Sequence, residues 1–312
     1  MTDKRAYIST SSFGTVDQAP IVRLQEAGFE ISLNPFGRAL KAEEVLTEVR
    51  DHDILIAGTE PLGATVLEQL AGRLKVISRV GMGMDKIDHD ATRRLGITVR
   101  NTPSAHVDAV AELALAGILD LCRGLSAADR GVRSGSWKKP MGRLLRGRTV
   151  GFVGYGGVAR ALKHLLTAFD VRLLATDPAL SPAVAEAEGV ELLTIQELFE
   201  RAEVVSLHLP GGADTKGMID TSLLERLPPT AVLVNTARGD VIVEEDLLRF
   251  LQANPSASAY LDVFEQEPYF GPLRELSNCV LSPHIGSYAM EARVRMEAEA
   301  VENALLAFAE AV

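Results

Sequence analysis

Two short stretches near the end of the chain combine residue types that can carry a proton. Residues 262–268 read DVFEQEP, with three acids in six positions, and His284 follows Pro268 by sixteen residues in SPHIG. A carboxylate beside an imidazole orients the ring and favours its protonated form, as in a general acid–base pair. Acids in a turn are otherwise most often solvated surface. The spacing alone leaves both interpretations open.

A glycine-rich loop lies earlier, in TVGFVGYGGVARAL (149–162), between a predicted strand and a predicted helix. The loop fits G-x-G-x-x-A, in which the first glycine allows a tight turn and the second lets the backbone approach a pyrophosphate. The helix N-terminus supplies N–H groups for the anion. The residues expected to contact a dinucleotide here are Gly154, Gly156, Gly157 and Val158.

An acid follows the next predicted strand, VRLLAT, at the distance that such a site requires. Asp177 lies 23 residues after Gly154 (177 − 154), close to the usual spacing of about 20 for a ribose-binding carboxylate. A carboxylate accepts hydrogen bonds from two ribose hydroxyls and repels a 2′-phosphate. No Arg or Lys follows in DPALSP. The sequence therefore predicts NAD rather than NADP.

Length and composition indicate the kind of fold that must position these residues. The chain has 312 residues, of which 47% are hydrophobic and only 5% aromatic, so two α/β domains built from small aliphatic side chains are expected. The formal net charge of −10 argues against a nucleic-acid surface. It does not exclude an anionic substrate, which needs only a few local cations.

Cysteine usage and hydropathy indicate the class of protein. Cys122 and Cys279 are far apart, and with no CxxC or Cys/His cluster we expect buried free thiols rather than a metal site or a disulfide. MTDKRAYIST has no apolar signal core, and no apolar run approaches about 18 residues. A cytoplasmic protein without membrane contact is expected.

The elements alternate in a way that is typical of parallel sheets. Short β-rich runs such as DILIAG (53–58), KVISRV (75–80) and GITVRN (96–101) are separated by helical patterns. The βα alternation stops after NTPS (101–104). Residues 105–125 then predict a helix that is too apolar to have a solvent-exposed face. The βα rhythm resumes at residue 149, and an acidic, alanine-rich helix covers residues 288–312.

Seven motifs in order give the chain a specific resemblance. From about Gly58 to Tyr288 it resembles the D-isomer-specific 2-hydroxyacid dehydrogenases, in particular phosphoglycerate dehydrogenase-like members. The motifs are RVGMGMDKID (79–88), NTPSAHVDAVAE (101–112), VGFVGYGGVA (150–159), HLPGGADTKGMI (208–219), VNTARGDVIVEEDLL (234–248), LDVFEQEP (261–268) and SPHIG (282–286).

The resemblance implies an α/β fold with two Rossmann-like, doubly wound parallel-sheet domains. The NAD-binding domain, residues 103–285, would be inserted into a discontinuous substrate domain, residues 1–102 plus 286–312. A cleft between the domains would hold NAD and substrate. A homodimer through the cofactor domain is also implied, with the apolar helix from Ala105 to Arg123 packed against its copy around a two-fold axis.

The resemblance also assigns the chemistry. Hydride transfer between nicotinamide and a 2-hydroxy or 2-keto acid requires a grip on the substrate carboxylate and a proton carrier for its oxygen. Arg238 would supply the bidentate grip, His284 would carry the proton, and Glu267 would be the carboxylate beside it. Asp262 resembles the residue that holds the nicotinamide carboxamide, and Glu265 is expected to be solvated.

Other positions follow in the same way. Backbone N–H groups at Met82 and Gly83 would hold the substrate carboxylate. His208 ends a strand, whereas His52, His89 and His164 are expected on the surface. Further cofactor contacts are implied for Leu209, Pro210, Thr236, Ala237 and Gly286.

The substrate is less clearly indicated. The resemblance favours oxidation of D-3-phosphoglycerate to 3-phosphohydroxypyruvate, with no regulatory domain expected after the last helix. Thr59 and Glu60 stand where some members carry basic side chains, and Lys86, Arg143 and Arg146 would have to compensate. Reduction of glyoxylate, hydroxypyruvate or another short 2-keto acid is the alternative. A third interpretation, from another class, is an NAD-sensing corepressor.

Overall fold

The computed structural model describes residues 4–311. Backbone packing divides the chain into two units. Unit 1 joins the chain up to His106 with the segment from Ser287 onward, and unit 2 is Val107–Gly286. The chain thus leaves unit 1 once and returns to it once.

Unit 1 contains a five-stranded parallel sheet in the order β2-β1-β3-β4-β5. Its central strand β3 reads ILIA and is buried at every position, as expected for a strand covered on both faces. The strands are β1 (Lys4–Ile8), β2 (Phe29–Leu33), β3 (Ile54–Ala57), β4 (Val76–Arg79) and β5 (Thr98–Asn101).

Unit 2 contains a seven-stranded parallel sheet in the order β12-β11-β10-β9-β6-β7-β8. The predicted fold class, two doubly wound parallel-sheet domains, is confirmed. The strands are β6 (Thr149–Val153), β7 (Arg172–Thr176), β8 (Glu191–Leu192), β9 (Val204–Leu207), β10 (Val232–Asn235), β11 (Ser258–Leu261) and β12 (Cys279–Leu281).

Helices connect the strands in both units. Those of unit 1 are α1 (Ala19–Glu26), α2 (Ala42–Glu48), α3 (Ala64–Leu70), α4 (His89–Leu95) and α12 (Met290–Ala311). Those of unit 2 are α5 (Val107–Arg123), α6 (Leu125–Arg133), α7 (Gly157–Leu166), α8 (Pro182–Ala187), α9 (Ile195–Arg201), α10 (Thr221–Leu224) and α11 (Glu244–Ala253). Short 3-10 turns lie at Thr167–Phe169, Gly239–Val241 and Pro272–Glu275.

Each sheet has one place where the strand order reverses. In unit 1 the reversal lies between β1 and β3, and in unit 2 it lies between β6 and β9. Ligands of open α/β sheets bind outside the carboxyl ends of the strands at such a point. The loops that follow these four strands are therefore the places to examine for chemistry.

Helix α5 is only partly buried in the single chain. Ala111, Ala114 and Ile118 are fully buried, yet Asp108, Glu112, Ala116 and Arg123 form an exposed stripe on the opposite side. The single chain thus leaves one stripe of this helix exposed, and its burial against a second copy stays a prediction. The physical reason is that small residues carry the contact: a Cβ at Gly117 would lie 2.1 Å from the Tyr260 ring, so the helix packs closely on β11 along one narrow face.

The two cysteines behave as predicted. Both are free and buried, and burial raises the pKa of the Cys279 thiol to about 12. Among residues 4–311 no helix combines the length and apolar character needed to cross a membrane.

Candidate active site

The glycine loop after β6 is shaped by two glycines with different constraints. Gly154 has a left-handed backbone (φ +86°), and a Cβ there would lie 2.5 Å from the carbonyl oxygen of His208, the residue after β9. A Cβ at Gly156 would meet no heavy atom within 4 Å. Gly157 and Val158 begin α7, and Ala159 is fully buried beneath them. The loop therefore lies at the strand-order reversal with an open cradle beside a helix N-terminus.

Asp177 lies directly beside this loop, after β7. Its Oδ2 accepts a hydrogen bond from Tyr155 N (2.7 Å), within the glycine motif, and its Oδ1 accepts one from Ala179 N (2.7 Å). Each carboxylate oxygen keeps a further lone pair. Two backbone donors thus hold the acid at the loop while it can still accept hydroxyl groups.

Loops after β9 and β10 add the other residues expected near a cofactor. The Leu209 side chain would be 3.4 Å from a Cβ at Gly154. The carbonyl of Pro210 accepts a hydrogen bond from Thr215 Oγ1 (2.7 Å), which fixes that loop. Thr236 Oγ1 is buried and makes no hydrogen bond to the residues that the structure describes. An unpaired buried hydroxyl at a strand end is a group that a ligand can satisfy.

Arg238 follows Ala237 after β10 and is half-buried. Asn235 organises this turn, because its Nδ2 donates to Arg238 O (2.8 Å) and its Oδ1 accepts from Ala237 N (3.0 Å). Gly239 packs so tightly that a Cβ would be 1.9 Å from the carbonyl carbon of Phe264. The arginine turn is thereby held against the acidic turn after β11.

His284 and Glu267 are in direct contact. His284 Nδ1 lies 2.8 Å from Glu267 Oε2 and 3.1 Å from Oε1. Glu267 Oε1 also accepts from Phe264 N (3.2 Å), which orients the carboxylate. The His284 side chain is 44% exposed. Its other ring nitrogen, Nε2, is not the one that contacts Glu267. The contact between Nδ1 and the Glu267 carboxylate orients the imidazole so that Nε2 can exchange a proton.

Asp262 organises the loop that carries the histidine. The carboxylate is buried and accepts from Ser282 Oγ (2.5 Å), Ile285 N (2.8 Å) and Gly286 N (2.7 Å). These donors flank His284, whose backbone is left-handed (φ +55°). Burial raises the pKa of Asp262, while its hydrogen bonds act in the opposite direction. The contacts within the chain show that Asp262 shapes the histidine loop.

The predicted substrate loop lies in unit 1, after β4. The carbonyl of Met82 accepts from Asn101 Nδ2 (2.9 Å), and that of Gly83 accepts from Arg79 Nε (3.1 Å). The Met82 side chain is exposed. Asn101 and Arg79 therefore fix the direction of this backbone.

The sequence-based predictions are wrong for one histidine and do not identify two supporting residues. His52 was expected on the surface but is buried, with its ring edge against Tyr7 and its Nε2 bonded to Ser32 Oγ (2.8 Å). His89, His164 and Glu265 are exposed, as expected. The supporting roles of Asn235 and Gly239 were missed. The only sequence signal for them was their position immediately around the arginine.

The basic residues proposed to compensate for Glu60 are engaged elsewhere or exposed. Arg143 donates to the carbonyls of Thr230 (2.9 Å) and Ser256 (3.3 Å), and Arg146 pairs with Asp170. Lys86 is exposed. Glu60 itself points inward and is buried.

Comparison with known families agrees with this geometry. Residues 115–286 match the family model described as D-isomer specific 2-hydroxyacid dehydrogenase, NAD binding domain. The chain belongs to the D-isomer specific 2-hydroxyacid dehydrogenase family. As a member of this dehydrogenase family it is an NAD-dependent oxidoreductase.

Relatives of this dehydrogenase differ in the substrate that they are named for. A glyoxylate reductase of Thermococcus litoralis is 36% identical over 92% of this chain and 90% of its own length. A D-3-phosphoglycerate dehydrogenase of Mycobacterium tuberculosis is also 36% identical over 86% of this chain, which spans only about half (51%) of that relative. The crystal structure of the TT0316 protein from Thermus thermophilus has a TM-score of 0.89 and 32% identity, covering 98% of this chain and 97% of that one.

The residues of this dehydrogenase fit NAD. The open cradle at Gly156 suits a pyrophosphate, Asp177 suits the ribose hydroxyls, and Thr236 Oγ1 is a buried hydroxyl that a ligand can satisfy. When bound, the nicotinamide supplies or accepts a hydride.

Proposed function

We propose that the protein reduces a short 2-keto acid to the D-2-hydroxy acid, with Arg238, Glu267 and His284 as its catalytic residues. The observation that carries this proposal is the contact between His284 Nδ1 and Glu267 Oε2 at 2.8 Å. An imidazole oriented by a carboxylate can deliver a proton from its other nitrogen. All three residues stand in loops of unit 2 that leave the carboxyl side of its sheet.

The proton moves at Nε2 of His284. Because Nδ1–H donates to the Glu267 carboxylate, Nε2 is the atom that gives its proton to the substrate oxygen during reduction. In the reverse reaction the neutral Nε2 accepts the hydroxyl proton. The Glu267 carboxylate stabilises the imidazolium that exists before reduction and after oxidation.

Arg238 binds the substrate carboxylate in this proposal. Its planar guanidinium can donate two parallel hydrogen bonds to a carboxylate and polarise the neighbouring keto oxygen. The support from Asn235 and the close packing of Gly239 reduce the freedom of the turn. Backbone groups at Met82 and Gly83 are proposed as further substrate contacts.

Glyoxylate or hydroxypyruvate is favoured over 3-phosphohydroxypyruvate as the substrate. The glyoxylate reductase relative is 36% identical over 92% of this chain. Two basic residues that would have to hold a phosphate, Arg143 and Arg146, are engaged with Thr230, Ser256 and Asp170 instead. Oxidation of D-3-phosphoglycerate therefore stands as the alternative assignment.

A panel of 2-keto acids with NADH tests the proposal. Glyoxylate, hydroxypyruvate, pyruvate, 2-oxoglutarate and 3-phosphohydroxypyruvate would be compared by kcat/KM from the loss of NADH absorbance. We expect glyoxylate and hydroxypyruvate to be reduced best. Preference for 3-phosphohydroxypyruvate would establish the alternative, and no turnover of any of them would overturn the enzyme assignment for this class.

We also propose a homodimer through unit 2. Helix α6 and the loop after it expose apolar side chains, with Trp137 81% and Met141 97% exposed and Leu125, Val132 and Leu144 exposed nearby in sequence. Exposed large apolar side chains are typical of interaction surfaces, and a two-fold axis lets this segment pack against its own copy.

Sedimentation at micromolar concentration measures the assembly. We expect a particle of twice the 33.6 kDa chain. Trp137→Ala combined with Met141→Glu should shift it toward the monomer. Phe270→Ala, an exposed aromatic elsewhere in unit 2, is the matched control and should leave the dimer intact. A wild-type monomer would contradict the proposal.

A further inference from the structure

Glu60 is a buried carboxylate whose hydrogen bonding is incomplete. The residue is 2% exposed, although it lies in the loop after β3. Its Oε1 accepts from Ser9 Oγ (2.6 Å) and from Gly58 N (3.2 Å). Its Oε2 is buried and makes no hydrogen bond to residues 4–311. Buried carboxylates are normally fully paired, so this oxygen is an acceptor in need of a donor.

The position of Glu60 in the sheet points to a ligand. Ser9 follows β1 and Gly58 follows β3, and these two strands flank the reversal of strand order in unit 1. The carboxyl edge of a parallel sheet binds ligands at this point.

The unpaired hydroxyl of Thr10 lies close to Glu60. A Cβ at Gly58 would lie 3.0 Å from Glu60 Oε2 and 3.4 Å from both Ser9 Oγ and Thr10 Oγ1. Thr10 Oγ1 and Ser12 Oγ are also buried without a hydrogen-bond partner in the described part of the chain. An acceptor, Glu60 Oε2, and an unpaired hydroxyl, Thr10 Oγ1, thus lie beside a residue that has no side chain of its own.

Arg79 connects this cluster to the Met82–Gly83 loop. Its Nε donates to Gly83 O (3.1 Å), and its Nη1 donates to Val80 O (2.9 Å) and lies 3.4 Å from Ala57 O at the end of β3. Burial raises the pKa of Glu60, whereas the hydrogen bond from Ser9 and the charge of Arg79 act in the opposite direction.

We propose that Glu60 and Thr10 are specificity-determining residues that recognise a hydroxyl group on the carbon chain of the substrate and exclude a phosphate there. A hydroxyl can donate to Glu60 Oε2 and accept from Thr10 Oγ1, whereas an ammonium group cannot accept a hydrogen bond. A phosphate dianion has no proton to donate to Glu60 Oε2 and would place its oxygens against a buried acceptor, which is strongly unfavourable. The substrate class is then a hydroxylated, unphosphorylated 2-keto acid such as hydroxypyruvate. This inference rests on the proposed function.

Glu60→Gln tests the exclusion of phosphate, because it keeps the size of the side chain and replaces a carboxyl oxygen by an amide NH₂ that can donate to a phosphate. We expect the ratio of kcat/KM for 3-phosphohydroxypyruvate to that for hydroxypyruvate to rise by about tenfold or more. Glu43→Gln, the same change at an exposed position on α2, should leave the ratio unchanged. Dissociation constants of both keto acids for the NAD⁺-loaded protein, measured by calorimetry, should shift in the same direction.

Thr10→Val provides the second arm, since it keeps the shape of the side chain and removes the hydroxyl. It should weaken use of hydroxypyruvate relative to glyoxylate by about five- to tenfold without improving 3-phosphohydroxypyruvate. If Glu60→Gln does not fold, Thr10→Val decides the question alone. An unchanged hydroxypyruvate-to-glyoxylate ratio in that variant, or an unchanged phosphate ratio in a folded Glu60→Gln, overturns the inference.

Glyoxylate separates this inference from the proposed function. It has no third carbon and cannot reach a hydroxyl-recognising group. Loss of the proposed function would appear as absent glyoxylate and hydroxypyruvate reduction in the wild type. Failure of the inference alone would appear as intact glyoxylate reduction with unaltered selectivity in the variants.

Discussion

His284 Nδ1 lies 2.8 Å from Glu267 Oε2, although seventeen positions separate the two residues in the chain. The histidine loop is held in its left-handed conformation by the buried Asp262, and the Glu267 carboxylate is held by Phe264 N. The histidine loop and the turn that carries Glu267 are therefore each held in place so that the two side chains meet. Because Nδ1 of His284 is used in this contact, Nε2 is the atom that can exchange a proton with the substrate.

Replacing Glu267 by Gln should slow the reductive reaction. The amide keeps the size of the carboxylate but cannot stabilise the imidazolium of His284, so kcat should fall by about tenfold or more. Initial rates of keto-acid reduction at saturating substrate measure this. Glu265→Gln, an exposed acid in the same turn, is the matched control. An unchanged kcat would mean that the contact has no part in proton transfer.

Loss of the imidazole itself should act at every pH. His284→Ala should lower kcat by roughly 10²–10⁴-fold, the usual contribution of a general acid. NADH binding, followed by fluorescence, should persist because the glycine loop and Asp177 are untouched. A variant that retains most of its kcat would remove His284 from the mechanism.

Arg238→Lys should chiefly impair substrate capture. An ammonium group cannot reproduce two parallel hydrogen bonds to a carboxylate, so kcat/KM should fall by about ten- to a hundredfold. Arg249→Lys, on the exposed side of α11, is the control for the same change in unit 2. Steady-state kinetics at varied keto-acid concentration provide the measurement. Equal kcat/KM in Arg238→Lys and wild type would rule out a bidentate grip.

Asp177 should set the preference for NADH over NADPH. Its carboxylate is fixed by Tyr155 N and Ala179 N beside the glycine loop, where it repels a 2′-phosphate. Asp177→Ala should lower the ratio of the dissociation constant for NADPH to that for NADH by about tenfold or more. Equal binding of both cofactors by the wild-type protein would contradict the assignment.

His208 should make unit 2 sensitive to acid. Burial lowers the pKa of His208 from 6.5 to about 4, and its Nε2 lacks a hydrogen-bond partner among the described residues. Because the unfolded chain takes up a proton below pH 6.5 and the folded chain does not, stability is lost as pH falls from 6.5 toward 4, by at most about 1.4 kcal/mol per pH unit. Urea unfolding at pH 7, 6 and 5 should show a weaker pH dependence for His208→Asn than for the wild type. His164→Asn is the exposed control.

Local patterns of the sequence were sufficient for much of the fold. The β-rich runs at 53–58 and 149–154 became β3 and β6 because continuous apolar runs indicate strands covered on both faces. The glycine loop and Asp177 were likewise identified by spacing, since a strand, a turn and a helix follow one another directly in the chain. The pairing of Glu267 with His284 was less accessible: it came from the resemblance to a family, and residue types alone left it open.

The tertiary structure decided the features that depend on contacts distant in the chain. His52 is buried because β1 and β2 bring Tyr7 and Ser32 against it. Glu60 points inward because Ser9, 51 residues earlier in the chain, donates a hydrogen bond to it at the reversal of strand order. The exposed stripe of α5 reflects how closely Gly117 lets that helix approach Tyr260. Sequence periodicity reports which face of an element is apolar, whereas strand order determines which side chains meet at the edge of a sheet.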